Sequence, residues 1–457
     1  MSRKYMVIYK QLRKSILDES YSRGMRLPSS RILAEQLGVS RNTILEAFAH
    51  LDAEGYIESR RGSGVYVKSF PNGYLDLLKS KKSGDVVPPE RSPEENLLRP
   101  FHPAGPDVSL FPFQIFSRIT ARCYRELRSG NYYYEDSLGY RPLREALAAY
   151  LTLKRQVNCT AEQIMIVNGS QEAIFICAEI FVHAGTRVFL ENPSYKLARF
   201  VFENKKGEIH FIPVDHEGMQ VDKIIPSESS LTYITPSHQF PLGHTMSIER
   251  RLKLLEISRQ KKLLVIEDDY DSDFRYTGEP LASLQGTGSG GKVIYIGTLS
   301  KILFPAIRIG FCVLPPEYIG KFLEKRKLIN RQPAIINQAA AACFIEKGYL
   351  YRHLKQMHRV YKIRKDYLFY ATQKHLSDFL VIENSDSGLH LAARFRKPYD
   401  KKILIQKAKI KKIDLVFISD YYHGTISIDG LVMGFSTYDT KIIEKTVRNL
   451  AEIFKEI

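Results

Sequence analysis

The sequence has few cysteines, and their scarcity excludes two classes of protein. Its five cysteines among 457 residues lie far apart, with no C-x-x-C pair and no spacing typical of metal ligands. This pattern argues against a disulfide framework and against a structural metal site, and it is typical of a protein from a reducing compartment. We therefore expect most of the cysteines to be small buried hydrophobic residues.

Long apolar segments are also missing. Lysines such as Lys4 and Lys10 interrupt the first segment, and the apolar run at residues 173–182 contains Glu179. A signal peptide needs an unbroken apolar centre, and a membrane helix needs about 20 apolar residues. The sequence therefore predicts a soluble, cytoplasmic protein that has no membrane partner.

Acidic residues are outnumbered by basic ones, and the formal net charge is +17. Such an excess favours a polyanionic partner such as nucleic acid, or an anionic small ligand, although a basic soluble enzyme can carry the same charge. The length of 457 residues and the hydrophobic content of 44% predict two or three globular domains.

The first 68 residues have the pattern of a helix-turn-helix followed by a two-stranded wing. Apolar residues recur at helical spacing over residues 5–17. Two further helices, near residues 30–37 and 41–54, are separated by a short turn at Gly38-Val39. Alternating segments on both sides of residues 60–63 then predict a hairpin.

Two places on this module are expected to contact DNA. The second helix of a helix-turn-helix places its N-terminal residues in the major groove, and Ser40 is expected to cap that helix. A basic wing tip contacts phosphates or the minor groove. The predicted DNA-binding residues are Arg31, Ser40, Arg41, Asn42, Thr43, Arg60, Arg61 and Gly62. For a single basic residue the alternative is a solvated surface charge.

These segments closely resemble the GntR family of winged helix-turn-helix repressors. The resemblance is carried by Leu27–Arg31, Leu33–Arg41, Leu51–Tyr56 and Arg61–Gly64, and it covers nearly the whole module. It implies a double-stranded DNA operator as partner. The sequence departs from the family at Leu45, where many members have a further basic residue, so we expect base recognition to depend on fewer side chains.

A linker and a large domain follow the module. Residues 69–100 mix prolines, glycines and lysines with few apolar side chains, which predicts a flexible linker with an end-to-end distance of roughly 30 Å. Helical and strand patterns alternate over residues 101–457 and predict an α/β domain with a mostly parallel sheet. In such sheets ligands bind at the carboxyl ends of strands.

Several predicted strands of this domain end in polar residues that suit pyridoxal phosphate. Lys301 follows one strand, and the adjacent carboxylates Asp268 and Asp269 end another. This cofactor needs a lysine that forms a Schiff base with its aldehyde and a carboxylate that pairs with its pyridine nitrogen. Gly169-Ser170 opens a helix with bare backbone donors that suit a phosphate. Taken singly, Asp268 or Asp269 could instead cap a helix, and Arg308 could be half of a salt bridge.

Together these segments resemble fold-type I pyridoxal-phosphate enzymes of the aspartate aminotransferase superfamily. Thr235–Pro241, Ile266–Ser272 and Gly297–Lys301 resemble in particular the MocR (GabR-like) subfamily of regulators, in which such a domain follows a GntR-type module. The resemblance implies an α/β fold: an N-terminal winged helix-turn-helix and a fold-type I domain whose mostly parallel sheet is flanked by helices. It also implies a smaller C-terminal subdomain and a head-to-tail homodimer.

The resemblance assigns roles to the site residues. Lys301 is expected to hold pyridoxal phosphate as an aldimine, and Asp268 to pair with the ring nitrogen. Tyr270 is expected to donate a hydrogen bond to the phenolic oxygen, and Tyr195 to stack on the ring. The expected phosphate contacts are Ser170, Gln171, Thr298 and Arg308.

Two further contacts are implied by the same resemblance. His238 and Gln239 are expected near the phenolic oxygen, without a decision between them. Tyr134 is expected to reach the phosphate in the partner subunit. The strand at residues 430–438 has no arginine for a substrate carboxylate, and Arg394 either replaces it or is a surface charge.

Two functions from different classes fit these observations. The first is a transcriptional regulator that senses pyridoxal phosphate, or an amine or amino-acid effector, through an aldimine at Lys301. The second is an active aminotransferase with an autoregulatory DNA-binding module. The missing arginine and the intact DNA-binding module favour the regulator, with vestigial or partial transaminase activity. A structural DNA-binding protein without cofactor leaves the Lys301 and Asp268 motifs unexplained.

Overall fold

The computed structural model describes residues 3–60, 62–69, 99–103, 105–133, 136–279, 281–288, 292–425 and 428–457. The chain divides into two compact units, Met1–Glu94 and Glu95–Ile457. Among the described residues, no helix is both long enough and apolar enough to cross a membrane.

The first unit is the winged helix-turn-helix that the sequence predicts. Its elements are α1 (Arg3–Leu17), α2 (Ser30–Gln36), α3 (Arg41–Ala53), β1 (Ile57–Arg60) and β2 (Gly64–Val67). The strands β1 and β2 pair in antiparallel register. Ser29 caps α2 and Ser40 caps α3, because each side-chain oxygen accepts a hydrogen bond from a backbone N–H of the first turn. The apolar faces of the three helices meet in one core that includes Leu12, Ile44 and Leu51.

The second unit is built on an eight-stranded sheet in the order β3-β10-β9-β8-β7-β4-β5-β6. The strands are β3 (Ile164–Val167), β4 (Arg187–Asn192), β5 (Glu208–Asp215), β6 (Gly218–Met219), β7 (Ser230–Ile234), β8 (Leu264–Asp269), β9 (Val293–Thr298) and β10 (Gly310–Val313). Strands β5, β4, β7, β8 and β9 run parallel, whereas β6 and β10 are antiparallel to their neighbours. The mostly parallel sheet is therefore confirmed.

Helices and a second sheet complete this unit. The helices are α4 (Phe113–Glu126), α5 (Arg141–Arg155), α6 (Ser170–Phe181), α7 (Lys196–Asn204), α8 (Ile248–Lys261), α9 (Leu284–Thr287), α10 (Ile319–Ile329), α11 (Ile335–Glu346), α12 (Tyr349–Leu376), α13 (Lys401–Ile410) and α14 (Thr440–Lys455). The second sheet contains β11 (Leu380–Ile382), β12 (His390–Phe395), β13 (Val416–Phe417) and β14 (Gly430–Gly434), in the antiparallel order β11-β12-β14-β13. This sheet, with α12 and α14, forms the smaller C-terminal subdomain.

Burial explains why the central strands are so apolar. Every residue of β3, β7, β8, β9 and β10 is buried, as expected when helices cover both faces of a parallel sheet. Two of the buried residues that end β8 are nevertheless carboxylates, Asp268 and Asp269. Buried charges need partners, so this end of the sheet is where function is sought.

Candidate functional site

A cavity of about 370 Å³ lies where the parallel strands β7, β8 and β9 end. It is also bounded by the N-terminus of α6 and by residues of the smaller subdomain. Most of the side chains that the sequence predicts as cofactor contacts line it: Ser170, Gln171, Tyr195, Asp268, Tyr270, Thr298, Lys301 and Arg308. Residues from five separate segments of the chain therefore meet in one place.

The two adjacent carboxylates at the end of β8 have different partners. Asp269 is paired with Arg155 (Nε to Oδ2, 2.8 Å) and accepts a hydrogen bond from the Tyr295 hydroxyl at 2.6 Å. Asp268 accepts a hydrogen bond from the Tyr233 hydroxyl on Oδ2 at 2.6 Å, while its buried Oδ1 has no partner among the described atoms. Successive side chains of a strand point to opposite faces, so only Asp268 faces the cavity.

The charge state of Asp268 depends on what lies beside it. Burial raises the pKa of this carboxyl group to about 7, although the hydrogen bond from Tyr233 acts in the opposite direction. A cationic N–H beside Oδ1 would favour the ionised form and satisfy the remaining acceptor. A protonated pyridine nitrogen has this chemistry, so Asp268 fits pyridoxal phosphate.

Lys301 enters the cavity from the turn after β9. Burial lowers the pKa of its ammonium group, and the negative charges of Asp271 and Asp268 oppose this shift. A lowered pKa increases the fraction of neutral amine, which is the form that attacks an aldehyde. The lysine therefore has the position and the protonation behaviour that a Schiff base requires.

One end of the cavity is suited to an anion. The 12-residue helix α6 begins there after Gly169, which provides no side-chain cap. Gly169 has a φ of 93°, and a Cβ atom at this position would lie 2.8 Å from Nη2 of Arg308. A glycine is thus needed for the guanidinium group to approach the helix N-terminus, where both the cation and the backbone donors favour a phosphate.

Hydroxyl and amide groups complete this anion-binding end. Ser170, Gln171 and Thr298 line the same cavity, together with Ser300. The side-chain oxygens of Gln171 (Oε1) and Ser300 (Oγ) are buried and have no hydrogen-bond partner among the described atoms. Unpartnered buried polar atoms are costly, so they support a bound polar group here.

His238 and Gln239 do not line the cavity. Nδ1 of His238 lies 3.0 Å from the carboxylate of Asp271 and 3.0 Å from the hydroxyl of Tyr270. The amide of Gln239 donates to the backbone oxygen of Pro193 at 2.8 Å. In this arrangement His238 influences the cavity through its contact with Tyr270. A direct contact of His238 or Gln239 with the cofactor stays a prediction.

Some lining residues were not predicted. Ser300 could have been found, because it directly precedes Lys301 in the same motif. Tyr233 could not, since its bond to Asp268 depends on the parallel register of β7 with β8. Five further residues line the cavity, namely His102, Pro103, Phe240, Val416 and Tyr421, and they are called the ligand wall below. Arg394 lies elsewhere, in a half-exposed ion pair with Glu383 at 3.0 Å.

The predicted DNA-binding residues of the helix-turn-helix in the first unit are mostly exposed. Arg31, Ser40, Arg41 and Asn42 are exposed, and Thr43 is half-buried. The hydroxyls of Ser40 and Thr43 lie 2.8 Å apart, and Nε of Arg41 donates to the hydroxyl of Ser30 at 3.1 Å. These contacts fix the start of α3, which presents Arg41 and Asn42 to solvent.

On the wing, Arg60 folds back onto its own strands. It is paired with Glu58 at 2.6 Å, and its guanidinium lies 4.5 Å from the centre of the Tyr66 ring. Gly62 is exposed at the tip. Two predicted contacts, Arg61 at this tip and Tyr134 in the second unit, lie outside the described residues.

Comparison with known proteins gives both units a family. The model of bacterial regulatory proteins of the gntR family matches residues 4–67, and the model of aminotransferase class I and II matches residues 120–416. The "Probable rhizopine catabolism regulatory protein MocR" of Rhizobium meliloti is 34% identical, over 98% of this chain and 93% of that protein. The "HTH-type pyridoxine biosynthesis transcriptional regulator PdxR" of Corynebacterium glutamicum is 29% identical, over 97% and 93%.

Solved structures of aminotransferases resemble this chain over most of its length. An archaeal alanine:glyoxylate aminotransferase has a TM-score of 0.73 at 26% identity and covers 79% of this chain and 92% of its own. The multiple substrate aminotransferase of Thermococcus profundus has a TM-score of 0.72 at 27% identity, with 85% and 96% covered.

Proposed function

Because the chain belongs to the gntR family of bacterial regulatory proteins and carries an aminotransferase class I and II domain, we propose that it controls transcription in response to a ligand in the cavity. It is a DNA-binding transcriptional regulator, and its second domain implies pyridoxal phosphate as cofactor. The proposed signal is pyridoxal phosphate itself, or an amine or amino acid that binds with it. The observation that carries the proposal is one cavity containing both Lys301 and the unpartnered Oδ1 of Asp268.

Five residues around the cavity have side chains that fit the cofactor. Lys301 would attach it, Asp268 would accept a hydrogen bond from its ring nitrogen, and Tyr233 would keep Asp268 in place. When bound, pyridoxal phosphate supplies an aldehyde that condenses with primary amines and a ring that withdraws electrons. Tyr270 would donate a hydrogen bond to the phenolic oxygen, and Tyr195 would cover one face of the ring.

The phosphate would occupy the anion-binding end. Arg308 would provide the cation there, and the N-terminus of α6 would provide backbone donors. The side chains of Ser170, Gln171 and Thr298 were expected in this role, and Ser300 joins them in the same cavity. The anchored phosphate would fix the depth at which the cofactor sits beside Lys301.

The first unit would bind a double-stranded DNA operator. Arg41 and Asn42 at the start of α3 would contact bases in the major groove, while Arg31, Arg60 and Gly62 would contact the backbone. We also propose that the protein works in the cytoplasm as a head-to-tail homodimer. Its functional parts would be the module 1–68, the linker 69–100 and the ligand-binding domain 101–457.

Regulation requires that the ligand distinguish two arrangements of the protein. A ligand shifts an equilibrium only by the difference between its affinities for the two states. In a dimer, such a shift would change the spacing or orientation of the two DNA-binding modules. The effect on DNA affinity is thus the direct readout of the proposed function.

Chemical trapping tests the attachment of the cofactor. Protein incubated with pyridoxal phosphate and reduced with borohydride is digested and analysed by mass spectrometry. We expect the pyridoxyl group on Lys301 alone, and no stable adduct in Lys301→Ala. Lys292→Ala is the matched control, since this lysine precedes β9 and pairs with Glu317 on the surface. An adduct that persists in Lys301→Ala would disprove the assignment.

The second candidate function is transamination. It is favoured by the cavity's complete set of Lys301, Asp268 and Tyr270. Incubation with amines and a keto-acid acceptor distinguishes the two functions. Repeated turnover would establish an enzyme, whereas at most slow, partial conversion is expected of the regulator.

A further inference from the structure

The two ends of the cavity differ in charge. Among the described residues that line it, the basic side chains are Lys301, Arg308 and His102. Arg308 lies at the anion-binding end against Gly169, and Lys301 is close enough to both Asp268 and His102 for their charges to interact. The ligand wall contributes one ionisable base, His102, beside apolar and aromatic side chains.

Aromatic rings pack closely along the ligand wall. The Phe240 and Tyr421 rings have centroids 4.9 Å apart and are nearly perpendicular, at 87°. Phe240 also makes edge contacts with Tyr270 and Tyr195, at 6.1 and 6.2 Å. Such a surface binds apolar or aromatic groups well, and its five residues include neither lysine nor arginine.

The backbone around His102 is fixed, and it fills space that a side chain of β14 would need. Gly434, the last residue of β14, donates its N–H to the Phe101 oxygen at 2.9 Å. A Cβ atom at Gly434 would lie 2.3 Å from the His102 oxygen. A longer side chain, such as a basic one, therefore cannot extend into the cavity from this strand end without displacing the segment that holds His102.

His102 itself is a weak base in this setting. Burial lowers the pKa of its imidazole and the positive charge of Lys301 adds to the effect, although Asp414 opposes it. Asp414 lies 3.9 Å from Nε2. A neutral imidazole can form a hydrogen bond with a ligand but no ion pair.

We infer that the ligand wall selects a primary amine with an apolar or aromatic tail and gives no ionic contact to a carboxylate. An amine should thus bind better than the amino acid that differs from it only by the α-carboxylate. A carboxylate enclosed without a cation loses its hydration and gains no equivalent partner. The inference rests on the proposed function, because it concerns the ligand of the same cavity.

The test compares matched ligands on the full-length protein loaded with pyridoxal phosphate. Phenethylamine, L-phenylalanine and L-phenylalaninamide share the same aromatic tail, and only L-phenylalanine carries a carboxylate. Binding is followed by the absorbance of the cofactor and independently by the ligand-induced rise in melting temperature. We expect the dissociation constant of phenethylamine to be about tenfold lower than that of L-phenylalanine, with the amide closer to the amine.

A variant that should gain affinity for L-phenylalanine provides a second test. His102→Arg places a permanent cation on the ligand wall and should tighten L-phenylalanine by about tenfold, while phenethylamine changes little. His102→Gln is the neutral control and should leave the preference for the amine unchanged. If His102→Arg does not fold, the comparison of ligands on the unaltered protein still decides.

Three results are distinguishable. Equal or tighter binding of L-phenylalanine to the unaltered protein overturns the inference. If Lys196→Met abolishes this binding of L-phenylalanine, the carboxylate contact belongs to Lys196. The Nζ atom of Lys196 lies 5.0 Å from the centre of the Tyr421 ring. If no ligand changes the absorbance and Lys301→Ala behaves like the unaltered protein, the proposed function fails along with the inference.

Discussion

The start of α3 and the cavity at the end of β8 use polar residues in opposite ways. Arg41 and Asn42 are exposed at the start of the 13-residue helix α3, and Nε of Arg41 donates a hydrogen bond to the hydroxyl of Ser30. Asp268 and Lys301 are enclosed, and each is influenced by buried neighbours from other strands or turns. The exposed pair suits a large, hydrated polyanion, whereas the enclosed pair suits chemistry on a small molecule. Substitutions in the two places should therefore separate DNA binding from cofactor binding.

The largest effect is expected from Lys301→Ala. Covalent attachment of pyridoxal phosphate should be lost completely, because no other described lysine lines the cavity. DNA binding by the cofactor-free protein should stay unchanged, since the substitution leaves the first unit intact. Absorbance spectra and a DNA mobility-shift titration measure the two properties. A loss of DNA affinity in Lys301→Ala would contradict the expectation that DNA binding and cofactor binding can be separated by substitution.

Arg308→Ala should weaken cofactor binding strongly. Loss of a charge-assisted contact to phosphate costs about 1.5–3 kcal/mol, or roughly 10- to 150-fold in affinity. The dissociation constant is measured by fluorescence titration of cofactor-free protein. Arg394→Ala is the matched control, because that arginine is paired with Glu383 on the surface. Similar losses in the two variants would refute the phosphate role of Arg308.

Arg41→Ala should weaken DNA binding and leave cofactor binding unchanged. If Arg41 makes a bidentate base contact, DNA affinity falls by about 1–3 kcal/mol and the cofactor spectrum is unchanged. Arg23→Ala serves as control, since Arg23 lies in the same unit and its partly exposed side chain is 4.0 Å from Glu19. Binding to the DNA upstream of the protein's own gene measures the effect. Unchanged affinity would remove Arg41 from the DNA interface.

A smaller effect is expected from pH on the cofactor-free protein. Burial raises the pKa of Asp268 to about 7, far above its unfolded value of 3.8. The folded state then holds a proton that the unfolded state has lost, so stability falls as pH rises from about 4 to 7. The slope is at most about 1.4 kcal/mol per pH unit for one such group.

Asp268→Asn should flatten part of this pH dependence. Glu191 and Glu267, whose pKa values burial raises to about 7, should maintain the remainder. Denaturant unfolding at several pH values gives the comparison. If the Asp268→Asn variant has the same pH profile as the unaltered protein, Asp268 is ionised without its cofactor.

The start of α3 and the cavity differ in how much of their structure could be predicted from the sequence. Ser40 and Lys301 were identified from local motifs, because a helix cap and a strand-to-turn lysine depend on nearby residues. The choice between Asp268 and Asp269 came from resemblance, and its physical reason lies in Arg155, 114 residues from Asp269 in sequence. Such a pairing depends on how helices and strands pack, which local patterns do not determine.

The ligand wall illustrates the same limit. His102 precedes the first helix of the second unit and Tyr421 belongs to the smaller subdomain, yet both line one cavity. Neither stands in a motif that distinguishes it from an ordinary core aromatic or surface histidine. His238 shows the converse, because it stands in a characteristic motif and yet lies behind Tyr270.

The most direct measurement is DNA affinity of the full-length protein in three states: cofactor-free, loaded with pyridoxal phosphate, and loaded in the presence of phenethylamine. The promoter region of its own gene serves as DNA, and Lys301→Ala is measured in parallel. We predict that DNA affinity or the footprint changes between at least two of the states, and that Lys301→Ala abolishes the response to the amine. Identical DNA binding in all three states, or the same response in Lys301→Ala, would contradict a regulator that senses its ligand through this lysine.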